Sequence, residues 1–254
     1  MPLLDSHPSG MPVWIDVMVK TSEQRERLMS FYSSLFEWTW DVGAEEIGFY
    51  SIAQHAGRPV MGLGQSPAGE GHMVTYFSTD DIEASAKKAT ELGGNVFMPP
   101  MQVMDLGSMS LALDPTGAVH GLWQPKSFAG FGVVYEANSP GWFDHVSKDP
   151  DLAASYYSGL TGHPVIEPEP GMKILQAGDQ WFASISYDQL EDRPSQWNPI
   201  YVADSLQRIR DLVSEMGGTV VLEEMPVPGS AITVVVEPVM GTFVTVMKAG
   251  EAPS

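Results

Sequence analysis

Apolar positions along this chain switch between two periods. Residues 13–19 form a short apolar run, the pattern of a strand buried on at least one face. Over 22–36 the spacing changes, and Leu28, Phe31, Tyr32 and Leu35 fall on one face of a helix. Ser22 stands where an N-cap belongs, with polar Glu23, Gln24 and Arg25 in the first turn. Strand patterns follow at 48–53 and 59–63. A further strand at 73–77 leads into a helix over 81–92. Gly93-Gly94 closes it, since glycine enters the left-handed region without a Cβ clash. Strands at 95–98, 108–113 and 118–123 complete the series.

The series then repeats. Tyr32 to Trp38 reads like Tyr157 to His163, Glu91 to Val96 like Glu215 to Val220, Trp14-Ile15-Asp16 like Trp142-Phe143-Asp144, and Leu113-Asp114-Pro115 like Val236-Glu237-Pro238. Four matches in one order, at nearly one period, mark a tandem duplication. Two domains are expected, at 11–125 and 139–249. The linker at 126–138 holds Gly130 and Gly132 and is flanked by Pro125 and Pro140. Helices near 150–160 and 204–216 give the second half the same alternation. The unit is βαβββ, about 60 residues long and used four times. A meander beside one helix gives mixed sheets with helices on one face, an α+β architecture.

Composition narrows the function classes. The chain has 254 residues, 43% of them apolar and 18% charged, which is globular rather than disordered. Its 13 basic and 32 acidic side chains give a formal charge of −19, which disfavours nucleic acid and anionic membranes as partners. Zero cysteine excludes disulfides, zinc ribbons, iron–sulfur clusters and thiol nucleophiles. No apolar run approaches the roughly 20 residues of a membrane span. The opening MPLLDSHPSGMP lacks the basic and apolar segments of a signal peptide, so a cytoplasmic protein is expected. There is no nucleophile elbow, phosphate-cradling loop or dinucleotide fingerprint. Gly62-Leu63-Gly64 is a lone weak match on a strand end.

Three motifs, present in order, carry a resemblance. They are the helix end Phe31 to Trp38, the Gly93-Gly94-Asn95 step, and the Asp-Pro-x-Gly turn of Asp114 to Gly117. With their counterparts in the second half, the chain resembles the vicinal oxygen chelate superfamily of glyoxalases, bleomycin-resistance proteins and extradiol dioxygenases. The Trp-x-Asp opening and the close over Gly121 to Pro125 look like its two-domain actinobacterial glyoxalase-like hydroxylase branch. The resemblance implies paired βαβββ modules forming cupped sheets around a cleft that takes a small molecule. It also implies a divalent ion held by three or four His, Glu or Gln side chains on first and last strands. The matching positions here are Trp14, Val74 and Gly121 in half one. In half two they are Trp142, Asn198 or Pro199, and Val244 or Thr245. None is an expected ligand, so no metal and no other cofactor is expected.

What remains in the cleft follows from strand alternation. Trp14, Asp16 and Met18 share one face, as do Trp142, Asp144 and Val146. A carboxylate in an apolar strand is costly unless partnered. Asp16 is therefore either hydrogen-bonded structurally, or a general base or ligand-anchoring carboxylate with a pKa raised by desolvation. His72 shares a face with Val74 and Tyr76. It is either the acid–base partner of Asp16 or an exposed loop histidine after Gly71. His120 and His145 point to the helix side and read as structural. Met98, Met101, Met104 and Met109 cluster in half one and suit an adaptable pocket. Asp16 and His72 are the catalytic candidates. Trp14, Tyr76, Met61, Met104, Trp142, Asp144 and Tyr201 are the expected binding walls, with half one favoured. The expected function is metal-independent binding of a bulky, largely apolar small molecule. The expected activity is that of a lyase, isomerase or cyclase of specialised metabolism. The alternatives are a sequestering protein and a metal enzyme with a displaced site. A monomer or homodimer is expected.

Overall fold

A computed structural model describes residues 6–66, 69–188 and 193–250. Four βαβββ modules follow one another. The first holds β1 (Pro12–Val19), α1 (Ser22–Phe36), β2 (Thr39–Val42), β3 (Ser51–His55) and β4 (Arg58–Gln65). The second holds β5 (His72–Ser78), α2 (Ile82–Glu91), β6 (Asn95–Val103), β7 (Gly107–Leu113) and β8 (Val119–Pro125). The third holds β9 (Pro140–Ser147), α3 (Pro150–Thr161), β10 (Val165–Glu169), β11 (Met172–Ala177) and β12 (Gln180–Tyr187). The fourth holds β13 (Gln196–Ala203), α4 (Leu206–Glu215), β14 (Thr219–Val227), β15 (Ser230–Val236) and β16 (Phe243–Lys248).

Each pair of modules makes one eight-stranded mixed sheet, in the order β2-β3-β4-β1-β5-β8-β7-β6 and its repeat β10-β11-β12-β9-β13-β16-β15-β14. The first strands of paired modules meet antiparallel at the centre, and each first strand runs parallel to the last strand of its own module. This α+β arrangement is the duplicated glyoxalase-like fold.

Polar side chains start the helices. Thr21, one residue before the expected cap, accepts from the Gln24 amide, and Gln24 Oε1 accepts from the Lys20 amide. Ser22 is therefore the first helical residue. Asp81, Asp149 and Ser205 cap α2, α3 and α4 the same way. The edge strand β6 runs past its expected end, through Pro99-Pro100. An edge strand tolerates the missing amide donors there, and the register shifts twice along it.

The helices of both halves form one middle layer, α1 against α4 and α2 against α3. A single apolar core runs through both halves there. Tyr32, Phe36 and Trp38 pack on Tyr201, whose hydroxyl donates to Met61 Sδ at 3.5 Å. His120 and His145 are buried in the same layer, as their parity predicts. Strand parity turns the opposite, cupped faces outward.

Candidate active site

In the first cup, β1 presents Trp14 and Asp16 to the concave face. Tyr50, just before β3, lies across them. Its hydroxyl donates to Asp16 Oδ1 at 2.5 Å, and Trp14 Nε1 donates to both oxygens at 3.0 and 3.1 Å. Burial pushes the Asp16 carboxyl up, opposed by hydrogen bonds from Tyr50, Tyr76 and Trp14. Two glycines of β4 make room for the phenol: a Cβ on Gly62 would overlap the Tyr50 hydroxyl, and one on Gly64 would press on its ring. Tyr76 is seated the same way, against Gly121. Phe128, beyond β8, packs edge-on against Trp14 at 4.9 Å. The first cup is filled by its own aromatic side chains.

The second cup has the same frame with different contents. Strand pairing sets Asp144 opposite Ser184 as Asp16 is set opposite Gly62. By the same register Ser186 replaces Gly64, Ile200 replaces Tyr76 and Thr245 replaces Gly121. Met172 precedes Lys173 as Tyr50 precedes Ser51, one residue ahead of equivalent pairs, and so stands at the place of Tyr50. Smaller or more flexible side chains leave a cavity of about 250 Å³. Its walls include Trp142, Trp181, Met172, Ile200, Met225 and Met247, and Asp144, Ser184 and Ser186 supply its polar floor. Trp142 Nε1 donates to Ser184 Oγ at 2.8 Å. Ser184 and Ser186 then donate to Asp144 Oδ1 at 2.6 and 2.8 Å. Asp144 Oδ2 has no hydrogen-bond partner among the described residues. Burial pushes the Asp144 carboxyl up, opposed first by the two serine hydroxyls.

The other sequence candidates fall elsewhere. His72 is exposed, at the start of β5, and its Nδ1 lies 3.2 Å from the Glu70 carbonyl oxygen rather than against Asp16. Met61 and Tyr201 have the opposite strand parity to Asp16 and Trp142, so they point into the helix-side core, where both are buried. Met104 sits in the β6–β7 turn at 56% exposure, and Met101 beside it is also exposed, so the methionine cluster of half one forms an edge hairpin rather than a pocket. The cavity lies in half two, against the preference for half one. Of the named candidates, Trp142 and Asp144 line it. Sequence reasoning missed Met172, Ser184 and Ser186. Aligning Gly62-Leu63-Gly64 with Ser184-Ile185-Ser186 would have shown the glycine-to-serine exchange.

No family model matches the chain. It is 29% identical over 259 residues, 98% of each chain, to a Mycobacterium bovis protein bearing the name glyoxylase CFP32. Over 170 residues, 60% of this chain and 61% of the other, it is 29% identical to the anthracycline biosynthesis protein DnrV of Streptomyces peucetius. Among solved structures, 2,2',3-trihydroxybiphenyl 1,2-dioxygenase from Sphingomonas wittichii superposes with a TM-score of 0.68 at 15% identity, covering 95% of this chain and 91% of that one. The Mn(II)-bound glyoxalase of Novosphingobium aromaticivorans superposes with a TM-score of 0.67 at 14% identity, covering 96% and 83%. These relatives and solved structures are consistent with the vicinal oxygen chelate superfamily, whose fold the chain shares.

The divalent ion that this superfamily implies needs several nitrogen or oxygen donors converging at about 2 Å. The second cup offers one carboxylate, two serine hydroxyls and thioethers, with no imidazole in its lining. The first offers a carboxylate already engaged by an indole and a phenol. Among the described residues no three His, Asp or Glu side chains gather to hold a metal. The donor set of this chain does not fit the ion. Among the described residues no helix is long and apolar enough to cross a membrane.

Proposed function

We propose that the second cup binds a bulky, largely apolar small molecule and that Asp144 moves a proton on it. The step is of the isomerase, lyase or cyclase kind and draws on no metal. One observation carries this reading: a cavity with indole, thioether and aliphatic walls ends on a single carboxylate with one open oxygen. The walls favour a ring-bearing ligand, because apolar surface removed from water contributes about 25 cal/mol per Å². The serines fix the carboxylate through Oδ1, which leaves Oδ2 to take a proton from the ligand or return one. Burial brings the carboxyl closer to the range where proton transfer in both directions is efficient. The Streptomyces relative named for anthracycline biosynthesis supports a polycyclic ligand, since anthracyclines are fused-ring compounds.

The test uses a panel of polycyclic aromatic metabolites with the full chain. Trp142→Ala should weaken binding by about tenfold or more through the lost wall. Asp144→Asn should keep binding within a few-fold and lower turnover by about 10²-fold or more. Binding indifferent to Trp142→Ala, or turnover intact in Asp144→Asn, overturns the reading. Tight binding with no turnover by the native chain points to sequestration instead.

A further inference from the structure

The duplication supplies an internal comparison, because one cup is filled and the other is open on the same strand frame. We infer that the second cup takes a hydroxyl-bearing aromatic ring, a phenol, in the seat that Tyr50 fills in the first, with the ligand hydroxyl donating to Asp144 Oδ2. This rests on the second cup being the binding site.

Ser184 carries the comparison. In the first cup the Tyr50 oxygen accepts from the Trp14 indole and donates to Asp16 Oδ1. In the second, Ser184 Oγ accepts from the Trp142 indole and donates to Asp144 Oδ1. The serine reproduces the hydrogen bonds of the phenol oxygen and omits the ring. The ring's place belongs by register to Met172, a flexible side chain that lines the cavity. The open space of the second cup therefore corresponds by register to a seat that holds an aromatic ring in the first.

The acceptor selects the substituent. Asp144 Oδ2 is the polar group of the floor with no protein donor among the described residues. A purely hydrocarbon ring would bury it without a partner, which is costly. A phenol donates to it and lays its ring on Trp142, Trp181 and Ile200. The seats are not identical, since the Cβ atoms of Ser184 and Ser186 stand where the first cup has glycine. The ligand ring must ride further from β12 than Tyr50 rides from β4.

The test uses p-cresol, the tyrosine side chain without its backbone, and toluene, its counterpart lacking the hydroxyl. Both are titrated into the full chain and followed by NMR. One p-cresol per chain is expected, held about tenfold more tightly than toluene, with the preference lost in Asp144→Ala. Transplanting the plug by Met172→Tyr with Ser184→Gly should abolish p-cresol binding. Tyr50→Gly should add a second p-cresol site in the first cup, and Tyr50→Phe should not. Equal affinity for p-cresol and toluene, or p-cresol affinity unchanged by the transplanted plug, overturns the inference. If toluene binds in a Trp142-dependent way without preference for p-cresol, only the phenol is lost. If neither ring depends on Trp142, the reading of the cup as the binding site falls too.

Discussion

Asp114 shows how one buried carboxylate joins the halves. It follows β7 and caps its own turn, accepting from the Thr116 amide and hydroxyl and from the Ala118 amide. Its second oxygen accepts from the Tyr157 hydroxyl and lies 2.9 Å from His145 Nε2, both from half two. Burial alone would push this carboxyl up, but the hydrogen bond and charge of His145, with Thr116 and Tyr157, outweigh it and hold it at about 2. A carboxyl lowered from 3.8 stabilises the fold above the unfolded pKa, and that stability is lost as pH falls from about 4 to about 2. His120 acts higher on the scale. Burial lowers it from 6.5 to about 4, so the unfolded chain binds a proton there first, and stability falls as pH drops through that interval. These two groups weaken the fold as pH drops, His120 between 6.5 and about 4 and Asp114 from about 4 to about 2, while the raised carboxyls of Asp16 and Asp144 act in the opposite direction. His120→Gln should flatten the upper part of that slope, removing a dependence of up to about 3 kcal/mol between pH 6.5 and 4, read by urea melts at each pH. A slope unchanged in the variant would show that other groups set it.

At the scale of the element, helix starts and edges are local matters. Asp81 accepts from the Ala84 amide at 3.0 Å and is the side-chain cap of α2. Asp81→Ala should cost about 1 kcal/mol, measured by chemical denaturation, with the second-cup cavity unaffected. Helix starts were legible to within one residue, with Ser22 expected as the cap where Thr21 serves, because a cap, its helix and the closing glycine lie within a few residues. The Trp-x-Asp opening was legible for the same reason: strand parity alone sets Trp14 with Asp16 and Trp142 with Asp144. Met61 and Tyr201 were misjudged as walls because their parity relative to Asp16 and Trp142 depends on pairings with other strands. The methionine cluster was misjudged because it lies on an edge hairpin, where a strand pattern says nothing of what covers it.

At the scale of the whole molecule, the two halves share one core rather than owning two. The Tyr201 ring from half two stands 5.1–6.1 Å from Tyr32, Phe36 and Trp38 of half one, and Arg58 of half one pairs with Glu136 before β9 at 2.7 Å. Unfolding should therefore be one cooperative transition in calorimetry. Tyr201→Ala should lower stability by about 3–5 kcal/mol without splitting it. Two separate transitions in the native chain would contradict the shared core.

The repeat, the βαβββ order and the paired Trp-x-Asp strands are set by the sequence itself, because periodicity, caps and parity are properties of contiguous residues. Which cup stays open was decided only in three dimensions. Tyr50 reaches Asp16 from the segment just before β3 and finds room only beside Gly62 and Gly64 of β4, so the volume left over depends on residues that meet only after the sheet has assembled.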